Sequence, residues 1–183
     1  MTVASVSGAG RLNPSVVREA EDLCKAQAIA LHNWVKVEDS LGQVFAALMR
    51  SPDGILPFAA LSAVQFDAKV RIVDTTAKEL LRGHALLEDW RTRKNEVAKY
   101  VKDRNVLAHC RIELFGDQAG LMWRLYPAAS NISSLRKSGD QREQQNVYDA
   151  KRLQSFSTNF ETLAQHLFAF SEAVADAFPL SSE

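Results

Sequence analysis

The strongest pattern in the chain lies in residues 153–174, LQSFSTNFETLAQHLFAFSEAV. Apolar side chains recur there at alternating steps of three and four residues, which places them on one side of an α-helix. These positions are Leu153, Phe156, Phe160, Leu163, Leu167, Phe170 and Val174. Three of them are phenylalanines, whereas two-stranded coiled coils prefer aliphatic residues. The pattern therefore predicts a core helix of a globular bundle over residues 146–178.

Four further segments of the chain have helical spacing. They are predicted to form helices at residues 13–35, 41–48, 55–80 and 86–110. Asn13 and Pro14 favour a helix start, because asparagine caps the first turn and proline fits the first helical position. The turn-forming residues 51–54, SPDG, separate the second helix from the third. The predicted apolar face of the third helix consists of Ile55, Phe58, Leu61, Phe66, Val73, Ala77 and Leu80.

The segment between the last two helices has a different pattern. Apolar residues alternate with others at 112–114 and at 121–125, on either side of GDQAG at 116–120, which is typical of a β-hairpin. Residues 127–145 are then rich in Ser, Asn, Gln, Arg and Lys, and a connection of this length is often functional. We treat residues 111–145 as an insertion before the last helix.

Together these patterns predict an all-α fold. It is an up-and-down bundle of about five helices with a small β-hairpin insertion before the last one. Residues 1–12 are predicted to be a flexible N-terminal tail, and residues 13–183 a single helical domain.

Composition narrows the class of protein. The chain has 183 residues, which suits one domain, and 22 Lys and Arg balance 22 Asp and Glu. This balance excludes a surface that is basic throughout, but it permits a local basic strip. Residues 1–10 lack the features of a secretory signal, and the longest apolar run, 55–64, is too short to span a bilayer. We therefore expect a cytoplasmic protein without a membrane partner.

Several common chemistries have no motif in this chain. There is no G-x-G-x-x-G, P-loop, H-E-x-x-H or G-x-S-x-G sequence, and the four histidines are scattered. We therefore predict neither a cofactor nor a metal ion. The two cysteines, Cys24 and Cys110, are too few for a disulfide scaffold and are predicted to be small buried thiols.

The fourth helix carries the most informative charges. Residues 91–111 contain seven Lys or Arg against two Asp or Glu. One ridge of this helix is formed by Arg91, Lys94, Lys102, Asn105 and His109. Arg104 lies instead on the predicted inner stripe with Trp90, Val97, Val101 and Ala108. Positive charge beside a histidine, which titrates near neutral pH, suits a phosphodiester ligand, although charge sorting is also typical of a solvated helix face.

At this point the sequence resembles a known family. Arg104-Asn105-x-x-Ala108-His109, late in a helix of an all-helical chain of this size, is similar to the R-x4–6-H signature of the HEPN superfamily. A polar residue directly after the arginine is also typical of that superfamily. The motif covers six residues, and the helix order extends the resemblance loosely to residues 14–178.

The resemblance implies a specific activity. HEPN domains are helical bundles, and many are metal-independent endoribonucleases of bacterial defence and toxin–antitoxin systems that dimerise so that two motifs line one cleft. By this resemblance Arg104 would bind the scissile phosphate, His109 would act in proton transfer, and Asn105 would orient one or the other. RNA contacts would come from Arg91, Lys94, Lys102 and Arg111. Arg111 stands where members paired with a nucleotidyltransferase have tyrosine, so membership of that subtype is not expected.

Two functions therefore remain open on the sequence. The first is a metal-independent endoribonuclease or RNA-binding protein, with RNA, a second copy of the chain, and an antitoxin or other protein as partners. Acid and base catalysis together call for two proton-transfer groups, and a homodimer would supply a second histidine. The second is a non-catalytic helical module that binds another protein or a nucleotide. In that case Arg104 is a structural ion-pair partner and His109 caps or packs.

Overall fold

A computed structural model describes residues 14–51, 55–117, 120–127 and 148–179. Within these ranges the chain forms five helices and one two-stranded antiparallel sheet, which confirms the all-α prediction with a hairpin before the last helix. The elements are α1 (Pro14–Leu48), α2 (Ile55–Ser62), α3 (Phe66–Leu80), α4 (Leu86–Ala108), β1 (Cys110–Asp117), β2 (Gly120–Pro127) and α5 (Ala150–Ala177). The predicted tail at 1–12 and most of the polar connection at 127–145 lie outside the described residues.

The first two predicted helices are one continuous helix, α1. The sequence obscured this because Lys36, Glu38 and Asp39 interrupt the apolar run. Trp34, Val37 and Leu41 are nevertheless all buried, and they follow one another at steps of three and four residues. The interruption is therefore only the solvent-facing side of the same helix.

The third predicted helix is divided into α2 and α3. Gln65 precedes α3 with an extended backbone (φ −65°, ψ 155°), so the helix does not continue through it. Three positions predicted to be buried are exposed: Ile55 at 67%, Phe58 at 38% and Leu80 at 52%. Because α2 and α3 are separate helices, the apolar residues of α2 do not follow the periodicity that a single straight helix over 55–80 would have.

The chain divides into two compact units. The motif unit comprises Met1–Leu31 and Asp103–Ser157, and the bundle unit comprises His32–Lys102 and Thr158–Glu183. All seven apolar positions predicted on the last helix are buried, which confirms that face of α5.

Aromatic contacts fill the core of the bundle unit. The ring of Trp34 lies 5.0 Å from that of Phe66 and 5.1 Å from that of Phe160, measured between centroids. Trp90 is fully buried and its ring lies 5.8 Å from that of Phe170. Such tilted and edge-on pairs add to the hydrophobic stabilisation of the buried rings.

The motif unit joins the hairpin to the start of α5. β1 pairs antiparallel with β2, and Leu125 of β2 exchanges two backbone hydrogen bonds with Tyr148, of 3.1 and 3.3 Å. Asp149 then caps α5, because its Oδ1 accepts a hydrogen bond of 2.8 Å from the backbone N–H of Arg152. The ring of Tyr148 lies 5.7 Å from that of Phe156, so the strand pairing and the second turn of α5 share one buried cluster.

None of the helices in the described ranges combines the length and apolar character that a membrane span requires.

Gly83 occupies a backbone conformation that other residues rarely adopt. It follows α3 with φ of +80°, and a Cβ added there would meet no atom within 4 Å. Glycine is therefore favoured here because of the backbone conformation and not because a side chain would lack space.

We expect Gly83→Ala to lower the free energy of unfolding by about 1 kcal/mol, measured by urea denaturation. Gly83→Asn should recover part of that loss, because asparagine tolerates positive φ, and equal stability of all three proteins would contradict this account.

Candidate functional site

The last turn of α4 positions Arg104 and Asn105. The guanidinium Nη1 of Arg104 donates a hydrogen bond of 3.0 Å to Oδ1 of Asn105. Arg104 is half-buried and Asn105 is exposed. Successive residues point about 100° apart on a helix, so this contact requires the long arginine side chain to bend round the axis. The structure thus brings together two of the three residues that the motif singled out.

His109 follows the last residue of α4 and is exposed. Its backbone N–H donates a hydrogen bond of 3.1 Å to the carbonyl oxygen of Val106, which closes the final turn. Within the described residues the imidazole makes no hydrogen bond. It lies four positions after Asn105 in the sequence and one residue beyond the end of α4.

The buried side of this turn differs from the predicted stripe. Ala108 is exposed, and Leu107 is fully buried instead. Leu107 gains more from burial because its side chain is larger, and it lies three positions after the half-buried Arg104. Trp90 and Val97 are buried as predicted, and Val101 is half-buried.

Gln27 of α1 is a residue that the motif search missed. Its Nε2 donates a hydrogen bond of 2.8 Å to the carbonyl oxygen of Leu107, 80 positions away in the chain. The last four carbonyls of a helix have no partner within the helix, so Gln27 satisfies one of them between Asn105 and His109. A signal was present in the sequence, because Gln27 is a polar residue on the otherwise apolar spacing of α1.

The predicted phosphate contacts have several environments. Arg91 forms an ion pair with Glu88, and the Nζ of Lys94 lies 2.8 Å from Oδ2 of Asp74. Lys102 is exposed. These three cations belong to the bundle unit, whereas Arg111, also exposed, belongs to the motif unit.

Asp74 of α3 is the centre of a network with α4. Its Oδ2 accepts hydrogen bonds of 2.8 Å from both Lys78 and Lys94, and its Oδ1 accepts one of 3.1 Å from the indole of Trp90. Burial alone would raise the pKa of this carboxyl. The hydrogen bonds from Lys78, Lys94 and Trp90 outweigh burial, so the pKa of Asp74 is lowered from its usual 3.8.

Burial also raises the pKa of two groups next to the motif. It raises the pKa of the Cys110 thiol to about 11, so this thiol is protonated and a poor nucleophile at neutral pH. Burial also raises the pKa of the Tyr148 hydroxyl. The positive charge of Arg152 partly offsets this rise, and Cys110 and Asp103 add smaller effects in the same direction as burial. The prediction of a buried thiol is wrong for Cys24, which is exposed, and Cys110 is half-buried.

Within the described ranges, no three His, Cys, Asp or Glu side chains are grouped so that they could hold a metal ion.

Comparison with known proteins returned no match: no family model, curated protein or solved structure is significantly similar to this chain.

The Asp74 network leads to a pH-dependent prediction. We expect Asp74→Asn to lower the free energy of unfolding at pH 7 by about 1–3 kcal/mol, because two ammonium groups lose their carboxylate. Since the pKa of Asp74 is lower in the folded protein, its contribution is full above about pH 3.8 and is lost as the pH falls through the folded value. The difference between the two proteins in urea denaturation should therefore shrink in acid. A difference that does not change with pH would contradict this.

Gln27 gives a second test of the site. Gln27→Met keeps the length of the side chain but removes the donor to the Leu107 carbonyl. We expect a loss of about 1–3 kcal/mol in unfolding free energy, measured by urea denaturation, since a buried acceptor is left unpaired. Gln43→Met changes an exposed glutamine of the same helix and is the matched control. Equal effects of the two changes would show that the contact stabilises nothing.

Proposed function

We propose that this chain is a metal-independent endoribonuclease of the HEPN type, with its reactive groups at the end of α4. The observation that carries the proposal is the pairing of Arg104 with Asn105 by a hydrogen bond of 3.0 Å, one helical turn before an exposed imidazole. Arginine, asparagine and histidine are the three residue types that the motif places in these roles.

The chemistry of the three side chains supports this reaction. In metal-free cleavage the 2′-hydroxyl attacks the neighbouring phosphorus, the bond to the 5′-oxygen breaks, and a cyclic phosphate remains. One group removes the proton of the hydroxyl and another gives a proton to the leaving oxygen. The guanidinium of Arg104 suits the charge that develops on the phosphate oxygens, and Asn105 holds it in one orientation.

Proton transfer calls for two groups in this scheme. His109 supplies one per chain, and its imidazole is accessible to a substrate because it is exposed. We propose a two-fold homodimer in which the His109 of each protomer serves one shared cleft, one acting as base and the other as acid. Isologous dimers are the commonest assembly of soluble proteins.

A second candidate function has its own support. α2 exposes Ile55 at 67%, Leu56 at 74% and Phe58 at 38%. Adjacent exposed apolar side chains are typical of surfaces that bind another protein. A non-catalytic interaction module would use this surface and would need neither Arg104 nor His109.

Substitution of the motif separates the two candidates. We expect Arg104→Ala and His109→Ala each to reduce the rate of RNA cleavage in chelator by about 100-fold or more, since each removes a group that acts in the transition state. Cleavage is followed on a labelled RNA by gel electrophoresis, and the helical fold by circular dichroism.

His32→Ala is the control for this experiment, because His32 is an exposed histidine of α1 away from the motif in sequence. It should cleave at the wild-type rate. Equal cleavage by the wild type and by both motif variants would identify a contaminating nuclease and overturn the proposal. Absence of cleavage by every protein would favour the interaction module.

A further inference from the structure

Two lysines of the bundle unit share one carboxylate oxygen. Lys78 of α3 and Lys94 of α4 each place Nζ 2.8 Å from Oδ2 of Asp74. Their side chains are 51% and 36% exposed, whereas that of Asp74 is 12% exposed. The cluster therefore has one negative charge on its buried side and two positive charges toward solvent.

A related cluster in the same unit has a less exposed ammonium group. There Glu38 accepts a hydrogen bond of 3.1 Å from the indole of Trp34 and one of 2.8 Å from Lys69. The side chain of Lys69 is only 14% exposed. Both clusters combine an indole, a carboxylate and an ammonium, but at Asp74 the ammonium groups remain accessible. This difference is what a ligand site requires and a purely structural ion pair does not.

The geometry points to a phosphate-binding site formed by Lys78 and Lys94. Asp74 shows that both ammonium groups can contact a single oxygen atom, so one phosphate oxygen on the solvent side can do the same. Each ammonium has three N–H donors, and Asp74 uses one of them. Asp74 also holds the two lysines in place, so less side-chain freedom is lost when an anion binds.

Neighbouring charges support an anion at this position. Arg71 is exposed and lies three residues before Asp74, on the same side of α3. Arg91 lies three residues before Lys94 on α4, but its ion pair with the exposed Glu88 compensates its charge. The ligand is a phosphate group, either free or within an RNA backbone. This inference goes beyond the proposed cleavage at Arg104 and does not depend on it.

The test combines calorimetry with the indole signal of Trp90. Inorganic phosphate, pyrophosphate and a short RNA are titrated separately into the full-length protein at constant ionic strength, because added salt alone weakens charge interactions. We expect saturable binding and a shift of the Trp90 indole N–H signal in NMR spectra, since Trp90 contacts the same carboxylate. The corresponding signal of Trp34 should not move.

Charge-removing variants locate the site. Lys78→Gln and Lys94→Gln keep an N–H donor for Asp74, and each should weaken phosphate binding about 5- to 10-fold. Lys99→Gln, which changes an exposed lysine of α4 outside the cluster, should leave the affinity unchanged.

The outcomes separate the sources of the phosphate group. Binding of free phosphate or pyrophosphate without RNA identifies a small phosphorylated ligand, and binding of RNA without free phosphate identifies the nucleic-acid backbone. Both results support the site if the two glutamine variants weaken them. The inference is overturned if no anion binds saturably, if the variants bind as well as the wild type, or if an oligoglutamate peptide binds equally well.

Discussion

Burial of one face of α5 is the constraint on which the rest of the structure depends. The first part of that face, with Leu153 and Phe156, belongs to the motif unit, and the part from Phe160 to Val174 belongs to the bundle unit. Phe160 lies against Trp34, and Phe170 lies against Trp90. Large apolar side chains from α5 thus lie in the core of each unit. The polar residues of α1, α3 and α4 form the ion pairs and the candidate sites.

The indole groups of the core also donate hydrogen bonds to carboxylates that form ion pairs with lysines. Trp34 and Trp90 each have a buried ring and one N–H that needs an acceptor. Glu38 and Asp74 supply those acceptors, and lysines then compensate the two carboxylates. Lys94, which was predicted to contact phosphate, therefore also has a structural partner in Asp74.

The regular parts of this fold were predictable from the sequence, because buried spacing is a local property. The buried face of α5 and the hairpin at 110–127 follow from steps of three and four residues and from alternation. The continuity of α1 was not predicted, since charged residues around Val37 hide its burial. The division between α2 and α3 depends on the extended backbone of Gln65, for which the sequence has no strong signal.

The candidate site was predictable only in part. The motif identified Arg104, Asn105 and His109, and the hydrogen bond between the first two is a short-range consequence of their adjacency. Gln27 and Asp74 were missed because their partners are distant in sequence, Leu107 for one and Lys94 for the other. Contacts of this kind depend on how the helices pack, which residue spacing does not specify.

The most direct test of metal-free cleavage at Arg104 and His109 is the reaction of an RNA with a single 2′-deoxy nucleotide at the preferred cleavage position. The account predicts that this substitution blocks cleavage at that position, and that products of the unmodified RNA end in a cyclic phosphate by mass spectrometry. Cleavage beside the deoxy nucleotide, or products with a free 3′-hydroxyl, would contradict it.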